Sequence, residues 1–254
     1  MIGYLSDGAG PTVILIHGVG LRAEAWDRMM PALAAHFRVF AIDMPGHGAT
    51  LLGGVETLED YVDRIEVFVG RLDGPVFVAG HSMGAILAMK LAAHLGDRVA
   101  GIAALNAIYR RPKEAEQAVR ARAAAILSGE KIDNTPTLAR WFGDAPKGAI
   151  KAAAEECAAW LDAVDREGYG RAYTAFAHQD GPTEGELRAI AGPSLFMTGA
   201  GDPNSTPAMS EAMAALAPQG RAITIDDAAH MMPMTHAQTV AEALIETFQG
   251  RAQP

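Results

Sequence analysis

The sequence predicts an α/β fold: a mostly parallel sheet with helices on both faces and an all-helical insertion. Three observations predict it. Apolar, β-branched runs of strand length alternate with helix-length segments, the pattern of βαβ units closed by right-handed crossovers. One run, Val76-Phe77-Val78-Ala79, passes through Gly80-His81-Ser82-Met83-Gly84 into a helix-forming stretch that starts at Ala85. Between residues 109 and 188 the strand pattern stops and only helical blocks remain.

The elements follow in chain order. Residues 2–6 form a short strand ended by the turn cluster Asp7-Gly8-Ala9-Gly10-Pro11. Thr12-Val13-Ile14-Leu15-Ile16 is a continuous β-branched run, as a central parallel strand covered on both faces requires. It stops at His17-Gly18-Val19-Gly20, where glycine permits a sharp turn that directs the Val19 N–H above the sheet. Residues 23–35 are expected to be one helix that packs Trp26 and Leu33 inward. Arg38-Val39-Phe40-Ala41-Ile42-Asp43 is the next strand, ended by the loop Met44-Pro45-Gly46-His47-Gly48, which Asp43 and His47 are assigned to hold. Leu58, Tyr61, Val62, Ile65, Phe68, Val69 and Leu72 recur at i, i+3, i+4 and i+7, which predicts an amphipathic helix over 58–72. The helix that follows Gly84 is capped near Gly96, and residues 98–107 are again strand-like.

Helical blocks at 113–127, 137–142, 148–164 and 168–177 come next, separated by turn-forming runs such as Gly143-Asp144-Ala145-Pro146. They are too poor in large apolar residues to fold alone. The chain therefore divides into a core, residues 1–108 and 189–254, and a helical lid, residues 109–188, lying on the sheet. The sheet resumes at Ser194-Leu195-Phe196-Met197-Thr198, and a helix over 206–216 leads to the strand Ala222-Ile223-Thr224-Ile225. A helix over 238–248 closes the fold.

Composition narrows the function. Half of the 254 residues are apolar, enough for a large core. A net charge of −9 with no basic run argues against nucleic acid and anionic membranes as partners. No run is long and apolar enough to span a membrane, and the first residues lack a basic leader region. The expectation is a cytoplasmic protein, monomer or homodimer, that acts on a small molecule. Cys157, the single cysteine, lies in an Ala/Glu-rich helical stretch and is assigned as a structural thiol.

Three polar residues fall at the carboxyl ends of different strands: Ser82, Asp202 and His230. A serine hydroxyl needs a base to become a nucleophile, and His230 is expected to take its proton and return it to the leaving group. Asp202 is expected to hold the imidazole tautomer. The strand–turn–helix context makes Gly80-His81-Ser82-Met83-Gly84 a nucleophile elbow, with glycine needed where a side chain would clash. The N–H groups of Val19 and Met83 are the expected oxyanion donors. His230 is preferred among the histidines because it follows the last strand; His17 is read as structural and His81 as a packing residue. Asp226 and Asp227 compete with Asp202 but share a loop with His230, where reach to its ring is awkward.

These residues, with His17-Gly18, Asp43-Met44-Pro45-Gly46-His47-Gly48 and Gly201-Asp202, resemble the α/β-hydrolase-fold family, in its serine-nucleophile, lid-bearing branch. The group includes carboxylesterases, enol-lactonases, carbon–carbon-bond hydrolases, cofactor-free haloperoxidases and epoxide hydrolases; serine at the elbow argues against the branches that use aspartate there. The motifs span most of the chain except the lid. The resemblance implies a hydrolase without cofactor or metal. The family's two-strand start is shortened here, so its first antiparallel strand is expected to be missing, leaving about seven strands. Val19-Gly20 in place of a glycine-rich run argues against a lipase.

The expected reaction is hydrolysis of a small carboxylic ester or lactone through an acyl-serine. The alternatives are carbon–carbon hydrolysis of a vinylogous diketone and a non-catalytic ligand-binding receptor of the same fold. Met83, Met231, Met232, Trp141, Phe142 and Tyr173 are candidates for an apolar, adaptable pocket. Trp141 and Phe142 serve equally as fastenings of the lid. Arg110, Arg111 and Arg140 are candidates to meet a substrate carboxylate, with surface solvation the default for each.

Overall fold

A computed structural model describes residues 1–128, 130 and 132–250, so the last four residues of the expected core lie outside the described residues. The sheet comprises β1 (Tyr4–Asp7), β2 (Thr12–Ile16), β3 (Arg38–Ile42), β4 (Val76–His81), β5 (Val99–Leu105), β6 (Ser194–Gly199) and β7 (Gly220–Ile225). Its spatial order is β1-β3-β2-β4-β5-β6-β7. Only β1 runs antiparallel, against β3; the other pairs are parallel. The chain steps from β2 outward to β3 and then crosses back to lay β4 on the other side of β2. The strand order therefore reverses between β2 and β4, and the crevice at their carboxyl ends is where such sheets bind ligands.

Residues alternate between the two faces because the strand period is two. Ile14, Ile16, Phe40, Val78, Ile102 and Phe196 face one core, with α2 (Leu58–Val69) and α3 (Met83–Leu95). Val13, Leu15, Val39, Phe77, Leu195 and Met197 face the other, with Trp26, Leu33 and the closing helix, whose Phe248 stacks on Phe77 at 4.6 Å. Every residue of β2, β4, β5 and β6 is buried, which is why those strands read as unbroken apolar runs.

Three elements differ from expectation, one of them a short helix, Met232–Thr235, to which the sequence reading assigned nothing. The helix expected over 23–35 is broken into a 3-10 turn, Ala23–Trp26, and a short α1 (Met30–Ala34). Pro31 sits in the first turn of α1, where its missing N–H costs nothing; deeper inside one long helix it would lose a hydrogen bond and clash with the preceding turn. Within 109–188, α4 (Lys113–Leu127), α5 (Thr135–Phe142), α6 (Gly148–Ala163) and α7 (Arg166–Ala177) are joined by α8 (Glu184–Ala189), to which the sequence reading assigned nothing. A Thr183–Glu186 capping box starts α8, and Glu186 reaches the buried Lys90 of α3 at 2.7 Å. After β6 come α9 (Pro207–Leu216), α10 (Met232–Thr235) and α11 (Ala237–Gln249). Among the described residues no helix is long and apolar enough to cross a membrane.

The helices α6 and α7 are seated on the loops that follow β2 and β3. Gly20 lies against Leu161 and Tyr169, and Gly46 lies so close to Gly168 that a Cβ on either would overlap the other's backbone. At the start of α3 the approach is closer still. A Cβ on Gly80 would stand 2.0 Å from the Gly84 carbonyl oxygen, and one on Gly84 would stand 2.1 Å from that of Ile16. Gly84→Ala is therefore expected to lower the unfolding free energy by about 1–3 kcal/mol in urea titrations. Gly185→Ala, whose nearest neighbour would be Thr183 Oγ1 at 3.8 Å, is expected to leave it unchanged or raised.

Candidate active site

Ser82 follows the last residue of β4 and precedes the first turn of α3 with φ 55° and ψ −116°, a conformation that L side chains rarely adopt. Neighbouring backbone holds it there. Its N–H donates to Leu105 O at 2.9 Å, and its carbonyl accepts from the Ala85 N–H at 3.0 Å. Gly18 leaves room for it, since a Cβ there would lie 3.2 Å from Ser82 Cβ. The turn lifts Ser82 into a cavity of about 310 Å³, whose wall also includes His230, Gly18 and Val19.

Asp202 lies just past β6 in a loop closed by the Gly201 N–H to Ala228 O and the Asp202 N–H to Gly199 O. Its buried carboxylate accepts four hydrogen bonds. Oδ2 receives His230 Nδ1 at 2.7 Å and Asn106 Nδ2 at 2.8 Å. Oδ1 receives the N–H groups of Asn204 at 2.9 Å and Ser205 at 3.2 Å. Burial opposes its charge, but attraction to His230 and these donors outweigh it and hold the carboxyl down at about 2. An ionised carboxylate only accepts, so Nδ1 of His230 carries a proton, and Nε2 is the ring nitrogen that Asp202 leaves unengaged. Asp226 and Asp227 are exposed, and Asp227 faces His236 at 3.3 Å, so neither competes for His230.

Three supports of this pair exceed what the sequence reading assigned. His81, taken as a packing residue, donates from Nε2 to the His230 carbonyl at 2.8 Å. Asn106, with φ 50°, anchors Asp202 and accepts from Ser205 Oγ at 2.8 Å. Trp141 stacks over the His230 ring, with centroids 5.8 Å apart and planes 23° from parallel.

Two buried histidines brace the loops that carry Val19. His17 Nε2 accepts the Met44 N–H at 3.0 Å while its Nδ1 donates to Gly18 O at 2.7 Å. His47 Nε2 accepts the Gly20 N–H at 3.0 Å. Asp43 accepts the N–H groups of Ala23 and Ala49, both at 2.8 Å, the loop-holding role expected of it. Met83, whose N–H opens α3, is fully buried beside Ser82.

The pocket candidates divide. Trp141 and Tyr173 line the cavity. Phe142 and Met231 do not; they pack with Leu21, Cys157 and Met234 in a separate apolar cluster. On α5, Arg140 and Trp141 line the cavity, whereas Phe142, the last residue of the helix, turns into that cluster. Of the arginines, Arg110 is exposed and paired with Glu184, whereas Arg111 and Arg140 line the cavity. Arg122, not singled out in the sequence, lines it too; it shares a helical stripe with the cavity residues Ala115, Ala118 and Val119, and that spacing was the available signal. Burial raises the Cys157 thiol to about 12, which suits a structural role.

Burial holds His47 down at about 4 and His81, further opposed by His230, at about 3; His17 is likewise lowered by burial and by His47. These rings stay neutral when folded, while unfolding returns them to the ordinary value of 6.5. The unfolded chain then binds more protons, so stability is fully present above the ordinary value and is lost as pH falls through this window. Urea unfolding is expected to show a steady loss of stability between pH 6.5 and 4, shallower in His47→Gln. A flat profile would contradict the assignment.

Residues 13–243 match the family model described as the alpha/beta hydrolase family. The chain is 39% identical over 243 residues, 95% of its length and 91% of the relative's, to the (E)-2-((N-methylformamido)methylene)succinate hydrolase of Acinetobacter baylyi. It is 27% identical over 253 residues, 94% of its length and 99% of the relative's, to a pimeloyl-[acyl-carrier protein] methyl ester esterase of Aromatoleum aromaticum. Among solved structures, a thermophilic esterase from Thermogutta terrifontis superposes with a TM-score of 0.83 at 27% identity, covering 96% of this chain and 92% of that one.

Proposed function

This chain belongs to the alpha/beta hydrolase family, and from that premise we propose that it is a serine hydrolase cleaving a small carboxylic ester or lactone through an acyl-serine intermediate. The observation that carries the reading is the buried Asp202–His230 pair at the wall of the cavity that receives Ser82.

His230 Nε2 removes the proton of Ser82 Oγ as that oxygen bonds to the substrate acyl carbon. The carbonyl electrons move to oxygen, and the N–H groups of Val19 and Met83 bind the oxyanion. Each such donor contributes ~3 kcal/mol in the transition state. The oxyanion then collapses, the bond to the leaving oxygen breaks, and His230 returns its proton to that oxygen. Water, deprotonated by His230, attacks the acyl-serine; the acid departs and Ser82 recovers its hydroxyl. One water is consumed per bond cleaved. Asp202, anionic throughout, orients the ring and stabilises the imidazolium. Residues 109–188 act as a lid, with Trp141 and Tyr173 as the cavity's apolar wall.

The Acinetobacter relative supports a second reading, in which the bond cleaved is an amide. That protein is named for a substrate carrying an N-methylformamido group, and its likeness runs along 95% of this chain. The same steps serve it, with His230 delivering the proton to nitrogen.

Labelling with a fluorophosphonate probe is expected to add one mole per mole of protein at Ser82 and none in Ser82→Ala. Absence of labelling in the wild type would remove the nucleophile. Asp202→Asn is expected to lower kcat by about 10³–10⁴-fold, because the amide disturbs the tautomer that the carboxylate holds. A panel of short p-nitrophenyl esters, lactones, formamides and dienones ranks the bond types; turnover of the dienones alone would favour carbon–carbon cleavage instead.

A further inference from the structure

The cavity over Ser82 has a charge opposite to that of the molecule around it. The chain carries a net −9, yet the cavity wall holds Arg111, Arg122 and Arg140 and no aspartate or glutamate. Three guanidinium groups share this concave wall with no acid among them, which selects anions by focusing the field.

The three arginines are not equivalent. Arg111 is buried and already engaged. Its Nη2 donates to the carbonyls of Phe176 and Gln179, Asp180 stands 3.5 Å from its Nε, and the guanidinium lies over the Phe176 ring. Asp180 stands against its charge and the two carbonyls fix its place, although its Nε and Nη1 are buried without a hydrogen-bond acceptor. Arg122 bonds only a neutral amide, Asn134 Oδ1 at 3.1 Å, and its guanidinium lies 5.6 Å from the centre of the Tyr173 ring. Its Nε is buried without an acceptor. Arg140 bonds only a neutral hydroxyl, Thr137 Oγ1 at 3.2 Å. Among the described residues neither has a carboxylate within ion-pair distance. Asp133 feels the charge of Arg122, but it is fully exposed and is used to bond Thr135 at the start of α5.

Two guanidinium groups without counter-charge, on α4 and α5, thus face the space in which the acyl group must sit. Arg122 is half-buried and Arg140 exposed, so one carboxylate on Arg122 would replace lost solvent and a second would meet Arg140 where the cavity wall is open to water. We propose that the substrate is a small dicarboxylate, or an acylated derivative of one, whose two carboxylates meet Arg122 and Arg140 while its scissile carbon lies at Ser82. Planar guanidinium forks suit this better than point charges, because they bind carboxylate in a fixed orientation and so aim the remainder of the molecule. A cavity of about 310 Å³ fits a molecule of that size.

The proposal rests on the Ser82 cavity being the substrate site, and the experiment separates the two. Ser82 is labelled with a fluorophosphonate in the presence of succinate or of butyrate, which differ by one carboxylate. Succinate is expected to protect at a concentration at least about tenfold lower than butyrate. Arg122→Gln and Arg140→Gln are each expected to raise the half-protecting succinate concentration about tenfold, with a smaller change for butyrate. Arg122→Lys, which keeps the charge, is expected to retain a preference for succinate. Arg140 is exposed, so its replacement carries the test even if Arg122→Gln misfolds. Equal protection by succinate and butyrate, or succinate protection unchanged in Arg140→Gln, would overturn the dicarboxylate assignment while leaving the nucleophile intact. Absence of labelling would instead remove the serine reading itself.

Discussion

The constraint on which the site depends is the close approach of backbones around Ser82. A non-glycine residue at φ 55° costs of order 1–3 kcal/mol and persists only where its surroundings leave no alternative. Here they leave none. Gly80 and Gly84 bring the end of β4 and the first turn of α3 within overlap distance of any side chain, Gly84 presses on the Ile16 carbonyl, and Gly18 leaves room for Ser82 itself. The loop bearing Val19 and the turn bearing Met83 are thereby held side by side. Loosening that contact would move the serine and both proposed oxyanion donors together.

Electrostatics then sets what the position does. Asp202 keeps its charge when buried because four donors surround it, and those donors come from the ends of β5 and β6 and from the His230 loop. Each strand end thus supplies part of the solvation that water would otherwise provide. The histidines follow the opposite logic: His17, His47 and His81 are kept neutral by burial and serve as hydrogen-bonded struts. Only His230 pairs with a carboxylate at the cavity wall, which separates the proposed base from its neighbours more sharply than its place in the chain does.

Much of this was legible in the sequence, and the gaps have physical causes. Fully buried strands such as β2 and β4 must read as apolar runs, and a turn as tight as the elbow must show its glycines. Ser82, Asp202 and His230 stand out in the sequence because each follows a strand-like run, although β7, ahead of His230, is only partly buried. The break at Pro31 and the start of α8 have local marks in the sequence, a proline at a first helical turn and a Thr-x-x-Glu capping box. The wall of the cavity was less accessible. Whether Trp141 or Phe142 faces it depends on how α5 is rotated, and that rotation is set by packing with α6 and α10 rather than by α5 alone. Arg122 was hidden for a related reason, since an arginine on an alanine-rich helix is usually solvated. His81 and Asn106 gained their roles only when folding brought residues 149 and 96 positions away to them.

The division of labour is then plain in physical terms. The sheet supplies rigidity, strain and a fixed anion, features that depend on close packing and leave strong marks in the sequence. The helices over it supply shape and positive charge, which leave weak ones. The most direct test of the central claim is the mass of the intact protein, rapidly quenched during turnover of a short p-nitrophenyl ester. The account predicts a transient increase equal to the acyl group, mapped to the peptide containing Ser82 and lost as the acid is released. Turnover with no adduct, or with an adduct on another residue, would contradict it.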